Sequence, residues 1–229
     1  MQKDLFITGT DTGVGKTVIS CALLSMLKQQ GKTVLGMKPI ASGCQQTPQG
    51  LRNEDAEQLI RFSSQSMPYS LVNPYAYEAP IAPHIAAEQS GDKIDLEVIR
   101  ERYLALSAQC DQVIVEGVGG WLVPVNETQT IADLACQLDM PVLLVVGLRL
   151  GCINHALLSY QAILHAGLNC VGWVANQVES DMLRLDENVA AIKNRIDAPL
   201  LGTVLFNESL DISDISGHLS SRLSVASSE

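Results

Sequence analysis

Apolar and polar positions follow two rhythms along the chain. Short apolar runs rich in β-branched residues occur at 5–9 (LFITG), 33–39 (TVLGMKP), 112–117 (QVIVEG), 141–147 (PVLLVVG), 170–177 (CVGWVANQ) and 200–205 (LLGTVL). The first, third and fourth are nearly continuous rather than alternating, as in strands covered on both faces of a parallel sheet. Between the runs, residues 17–31, 94–110, 153–167 and 186–196 repeat apolar side chains at helical spacing. The first of these closes on Gly31, and the second has Asp95 placed as an N-cap. Strands alternating with helices predict an α/β fold, a doubly wound and mostly parallel sheet of the P-loop type in a single domain.

Residues 39–93 break the rhythm. Pro, Gln and Ser are scattered through them, and helical spacing survives only around 54–63 and 80–89. A connection this long in a compact domain usually serves a site. It is expected to form a flap over the carboxyl edge of the sheet, where ligands bind in this fold class. The serine-rich end, 211–229, reads as a short helix and a frayed tail.

Composition narrows the function classes. The chain has 229 residues, of which 47% are hydrophobic and 17% charged, enough for one sizeable core. A net charge of −10 argues against a nucleic-acid partner, which needs a basic face. Six cysteines show no Cys-x-x-Cys spacing and read as reduced structural thiols. With no signal-peptide pattern and no apolar run long enough to span a bilayer, a cytoplasmic protein without membrane partners is expected.

The candidate chemistry begins at GTDTGVGKT, residues 9–17. The stretch ends as a phosphate loop does, on Gly15, Lys16 and Thr17. Its first glycine, Gly9, stands one place early, and Thr10 occupies the position where the usual pattern has Gly. Strand, glycine-rich turn and helix form the context in which backbone N–H groups cradle phosphate. Lys16 would neutralise β- and γ-phosphate charge, and the Thr17 hydroxyl would ligate Mg²⁺. Lys38 ends the second run and would face this loop, unless it is a solvated surface lysine. Asp55 stands near a helix start, as a cap or as a ligand. Glu116, at the end of a buried run, holds the position of a Walker-B-type Mg²⁺ ligand. Gly151, Cys152 and Asn154 lie at a helix start that either binds a carboxylate or is simply capped. Asn176 and Gln177 end a strand, where their amides would read a purine edge or cap a loop.

In order, FITGTDTGVGKT, MKPIASG, TPQGLRNEDA, VNPYAY, PHIAA, VIVEGVGGWLVP, MPVLLVVG, LGCINHALL, HAGL and GWVANQ resemble the dethiobiotin synthetase family, over most of the chain. The resemblance implies a homodimeric P-loop enzyme that uses ATP, Mg²⁺ and CO₂ to close the ureido ring of 7,8-diaminopelargonate. It implies that Thr12, Gly13, Val14, Gly15, Lys16 and Thr17, followed by Val18, hold the nucleotide. Lys38 matches the family's active-site lysine, and Ser42 and Thr12 match substrate contacts. Asp55 and Glu116 match the acids completing the Mg²⁺ site, with Gly117, Val118 and Gly119 lining the nucleotide. Asn176 and Gln177 match the adenine side, and Leu205, Phe206 and Asn207 match it more weakly. The helix start at Gly151, Cys152 and Asn154 matches the one that receives the substrate carboxylate across the dimer interface.

The chain departs from the family pattern at Gly13, where many relatives carry an acid, and at Asn188, where some carry a tyrosine. Two other readings share the core. One is a paralogous ligase acting on a related diamine. The other is a nucleotide-switch ATPase of the chromosome-partitioning or division-site kind, which would carry an early lysine where this chain has Asp11.

Overall fold

The strand Leu5–Gly9 (β1) shows why the sheet needs cover on both sides. Leu5 and Ile7 enter one apolar cluster while Phe6 enters another, because successive side chains of a strand point to opposite faces. The computed structural model describes residues 4–206 and 212–223. After β1 come α1 (Lys16–Gln29), β2 (Val34–Met37), β3 (Ile40–Ala41), β4 (Gln45–Thr47), β5 (Gly50–Arg52), α2 (Glu54–Phe62) and α3 (Tyr69–Val72). Next are β6 (Tyr75–Ala76), α4 (Pro83–Gln89), α5 (Leu96–Ser107), β7 (Gln112–Gly120), α6 (Ile131–Leu138), β8 (Val142–Leu148) and α7 (Cys152–His165). The described chain ends with β9 (Cys170–Gln177), α8 (Leu185–Lys193), β10 (Leu200–Val204) and α9 (Ile212–Leu223).

Six strands form one sheet in the order β10-β9-β8-β1-β7-β2, with every neighbouring pair parallel. On one face, α1, α2 and α9 bury Leu23, Leu59 and Leu219 against Ile7, Ile114 and Leu143. On the other, α5, α6 and α7 bury Ile99, Leu134 and Ile163 with Phe6, Val115 and Leu144. The doubly wound parallel sheet expected from the apolar runs is therefore present. No helix among the described residues is long and apolar enough to cross a membrane.

Two ends differ from expectation in ways that matter for the site. The strand expected at 112–117 continues through Gly120, carrying its glycines along the phosphate loop. The first helix starts at Lys16 rather than Thr17, after Gly15 turns the chain at φ 86°, a left-handed angle that glycine takes without steric cost.

The segment 39–93 folds into short elements with separate duties. β3 pairs in parallel with β6 and touches β7, β4 and β5 form an antiparallel hairpin, and α2 packs on α1 and β2. Only part of the segment lines the opening at the strand ends: Ala41–Ser42, the start of α2 with Asn53, Glu54, Asp55 and Gln58, and Pro80–Pro83.

Candidate functional site

The carboxyl ends of β1, β2 and β7 surround a cavity of about 730 Å³. Its walls include Lys16, Thr17, Lys38, Ser42, Asp55 and Glu116. Thr12, Gly13, Gly15, Val18, Val118 and Gly119 line it as well. The fold thus brings together residues as far apart in sequence as Thr12 and Gly119.

Strand register sets the centre of this cavity. Met37 of β2 lies opposite Val115 of β7, so the next residues, Lys38 and Glu116, stand side by side. Lys38 is 3% exposed and Glu116 is 0% exposed. The Lys38 ammonium donates to Glu116 Oε1 at 2.6 Å and to the Gly117 carbonyl at 3.2 Å, and lies 3.2 Å from Asp55 Oδ2. A solvated surface lysine is excluded. Burial alone would pull the Lys38 pKa down, but the two carboxylates reverse this and raise it. Lys38 is therefore a fixed positive charge rather than a base.

Asn53 decides the role of Asp55. Its Oδ1 accepts from Ala56 N at 3.2 Å and so caps α2. The Asp55 carboxylate is left to face Lys38. Burial pushes that carboxyl up, but the Lys38 ammonium and the Thr17 hydroxyl more than offset it and hold it below the ordinary carboxylate value.

Thr17, in the first turn of α1, donates its hydroxyl to Glu116 Oε1 at 2.8 Å. Glu116 Oε2 is buried and has no protein partner. An orphaned carboxylate oxygen inside a fold is costly unless something meets it. With Thr17 and Asp55 beside it, this oxygen belongs to a hard donor set suited to Mg²⁺. Two carboxylates and a hydroxyl fall short of six ligands, and phosphate oxygens and water usually complete such a site.

Lys16 Nζ donates to the Asp11 carbonyl at 2.8 Å, curled back over its own loop. Burial, and then the Lys38 charge, lower its pKa to about 8, against the opposite pull of Glu116, Asp55 and Asp11. Val14 fills the hollow under the loop. A Cβ on Gly9 or Gly147 would stand 2.6 Å from one of its methyl carbons.

The remaining expected residues take definite places. Asn176 Nδ2 donates to the Val14 carbonyl at 2.8 Å, tying the end of β9 to the loop. Gln177 accepts from Phe206 N at 3.2 Å and donates to the Glu179 carbonyl at 2.8 Å. Leu205 and Phe206 are exposed beside it, and Asn207 lies outside the described residues. Ser42 Oγ is buried and unpartnered at the cavity wall. Gly151 precedes α7 at φ 94° with no side-chain cap, Asn154 is exposed, and Cys152 Sγ lies 3.8 Å from Asn188 Oδ1. This helix start lies outside the central cavity. It adjoins a second groove of about 430 Å³ lined by Asp11, Leu122, His155 and Leu158.

Sequence reasoning missed Arg149. It forms an ion pair with Asp11, whose other oxygen accepts from Thr12 N at 2.7 Å. Nothing in the sequence links the two residues, because the contact exists only once β8 lies beside β1.

Comparison with known proteins fits this arrangement. A family model described as an AAA domain matches residues 3–213. An ATP-dependent dethiobiotin synthetase of Xanthomonas oryzae pv. oryzae (strain PXO99A) is 50% identical over 87% of this chain and 89% of its own length. Those of Escherichia coli O157:H7 and Nitrosospira multiformis are 51% and 49% identical, over 88% and 96% of this chain and 90% and 95% of their own. Among solved structures, the septum site-determining protein MinD of Pyrococcus horikoshii, complexed with Mg-ADP, has a TM-score of 0.55 at 14% identity, covering 100% of both chains. A ParA family ATPase from Chlorobium tepidum has a TM-score of 0.56 at 12% identity, covering 99% of both. These two share the fold alone, whereas half-identity over nearly nine-tenths of both chains shows kinship: the chain belongs to the family of ATP-dependent dethiobiotin synthetases.

Proposed function

We propose that this chain is a cyclo-ligase that makes dethiobiotin from 7,8-diaminopelargonate, CO₂ and ATP. The observation that carries the reading is the buried Lys38 ammonium held between Glu116 and Asp55, within one cavity with the phosphate loop and the unpartnered Ser42 hydroxyl. A switch ATPase is the weaker reading, since Asp11 occupies the place of its early lysine.

One amine of the diamine takes up CO₂ and becomes a carbamate. A carbamate oxygen attacks the γ-phosphate of ATP and displaces ADP. The second amine then attacks the carbonyl of the mixed anhydride, closes the ring and expels phosphate. No protein nucleophile is required. The chain positions three reactants and stabilises developing negative charge, which suits positioned donors and cations.

Lys16 and the N–H groups of residues 12–17 hold the phosphates. Lys38 neutralises charge on the carbamate and the transferring phosphoryl group, and Ser42 and Thr12 contact the diamine. Mg²⁺, held through Thr17, Asp55 and Glu116, would neutralise the β- and γ-phosphate oxygens. The backbone from Gly117 to Gly119 lines the nucleotide, and Asn176, Gln177 and the Leu205–Phe206 segment flank its base. Part of the 39–93 segment serves as the lid over the substrate.

Two copies pair so that the helix start at Gly151, Cys152 and Asn154 of one receives the substrate carboxylate at the site of the other. Support comes from Leu150, 98% exposed, and from Leu122 and Leu158, exposed along the groove that adjoins this helix start. The chain works in the cytoplasm.

Incubation with ATP, Mg²⁺, bicarbonate and the diamine tests the reading. The expected result is ADP and the cyclic urea in equal amounts. ATP turnover that ignores the diamine and yields no cyclic urea would sink it.

A further inference from the structure

The stretch VNPYAY, residues 72–77, has no part in the cavity described above, yet together with Tyr69 it holds the backbone of two residues that line it, Lys38 and Asn53. Asn73 is 3% exposed. Its Nδ2 donates to the Lys38 carbonyl at 2.7 Å and to the Tyr75 carbonyl at 3.1 Å. Its Oδ1 accepts from the Tyr69 hydroxyl at 2.9 Å. That hydroxyl accepts in turn from Asn53 N at 2.7 Å. Three hydrogen bonds therefore run from the peptide of Lys38 to the peptide that starts α2.

The same two elements meet again through side chains, where Lys38 Nζ lies 3.2 Å from Asp55 Oδ2. Only Glu54 separates Asn53 from Asp55, so the backbone link and the ion pair close a ring. Further contacts hold the ring rigid. The Arg52 guanidinium lies over the Tyr69 ring at 4.1 Å from its centre. Lys38 N donates to the Val72 carbonyl at 2.9 Å, and Tyr75 N donates to the Pro39 carbonyl at 3.2 Å.

We propose that Tyr69 and Asn73 are positioning residues that set the distance between Lys38 and Asp55, and thereby place Asp55 for Mg²⁺. The inference rests on the reading of Asp55 as a metal ligand. Without the link, α2 would be free to turn its first residues away from β2, and Asp55 would leave the donor set while its cap and its fold persisted. Groups that orient metal ligands typically change metal affinity by about 10- to 100-fold when removed.

Binding of a fluorescent ADP analogue, followed as Mg²⁺ is titrated, tests this without turnover. Tyr69→Phe keeps the ring under Arg52 and removes only the hydroxyl. Asn73→Asp keeps the acceptor for Tyr69 and removes the donor to Lys38. Each is expected to raise the half-saturating Mg²⁺ concentration about 10-fold, with metal-free nucleotide affinity unchanged. Asp55→Asn is expected to raise it at least as far. Adding Tyr69→Phe to Asp55→Asn should raise it no further, because both act through one carboxylate.

A wild-type Mg²⁺ requirement in Tyr69→Phe and Asn73→Asp, beside a raised one in Asp55→Asn, overturns the positioning role even if both variants melt earlier. A wild-type requirement in Asp55→Asn overturns the metal-ligand reading and the inference with it.

Discussion

Lys38 and Glu116 stand 78 residues apart in sequence and 2.6 Å apart in the fold, at the ends of paired parallel strands. Neither side chain has appreciable access to water, so each depends on the other. Glu116→Gln keeps the shape and removes the charge. Removing one partner of a buried pair costs roughly 3–5 kcal/mol, and Asp55 retains Lys38 on its other side, so about 3 kcal/mol is expected. Adding Lys38→Met should recover part of the loss. Urea unfolding measures both. A Glu116→Gln change within about 0.5 kcal/mol of wild type, the range of ordinary surface substitutions, contradicts the buried pair.

Gly15 has two reasons to be glycine. Its φ of 86° costs other residues roughly 1–2 kcal/mol. A Cβ there would also stand 2.2 Å from Asn176 Nδ2, which would have to leave the Val14 carbonyl and forfeit a bond worth about 1 kcal/mol. Gly15→Ala is therefore expected to lose about 2–3 kcal/mol of stability and most nucleotide affinity. Asn176→Ala alone should lose about 1 kcal/mol. The double variant should lose less than the sum of the two, because the clash is already gone. Strict additivity in unfolding experiments would show that Gly15 and Asn176 do not meet.

Val14, almost fully buried, sits between two glycines on neighbouring strands. Gly147→Ala brings its new carbon 2.6 Å from Val14 Cγ1 and 3.0 Å from Val14 Cβ. Overpacking of this kind costs roughly 1–3 kcal/mol, and here it also lifts the phosphate loop. Val14→Ala in the same chain makes room and should restore nucleotide binding. If Gly147→Ala binds nucleotide as wild type does, the loop does not rest on Val14.

Those glycines mark the limit of what the sequence could tell. The six strands of the main sheet and the helices α1, α5, α7 and α8 were legible from their apolar runs and helical spacing, and β1 and β9 have the expected ends. Within 39–93, α2 and α4 stand where helical spacing survives, but the short strands were not legible, because two- and three-residue strands hold through pairing with distant partners rather than through pattern. The helix Ile131–Leu138 was missed although Thr130 and Asp133 form a capping box, a signal readable in the sequence. The early Gly9 in the phosphate loop looked irregular. Its cause is Val14, five residues on, whose methyl carbon leaves no room for a Cβ at the end of β1. The pairing of Lys38 with Glu116 depends on register between β2 and β7, which composition and spacing do not encode.

Lys16 gives the site a pH dependence whose sign differs for folding and for binding. Its pKa falls from 10.5 to about 8, first through burial and then through Lys38. Between those values the unfolded chain binds the extra proton, so this group's contribution makes the nucleotide-free fold more stable as pH rises from about 8 towards 10.5. Below about pH 8 the charge is present in both states, and the full cost of burying it remains. Phosphate reverses the preference, because it favours the charged form. ADP affinity should therefore fall as pH rises above about 8, approaching about tenfold per pH unit, with one proton taken up on binding. Titration calorimetry in buffers of different ionisation heat measures both the affinity and the proton. Lys16→Arg keeps its charge throughout and should bind ADP with no such slope, though with altered reach. An ADP affinity in the wild type that stays level from about pH 7 to about pH 9.5 would show that Lys16 keeps its proton without phosphate, and that the charges around it outweigh its burial.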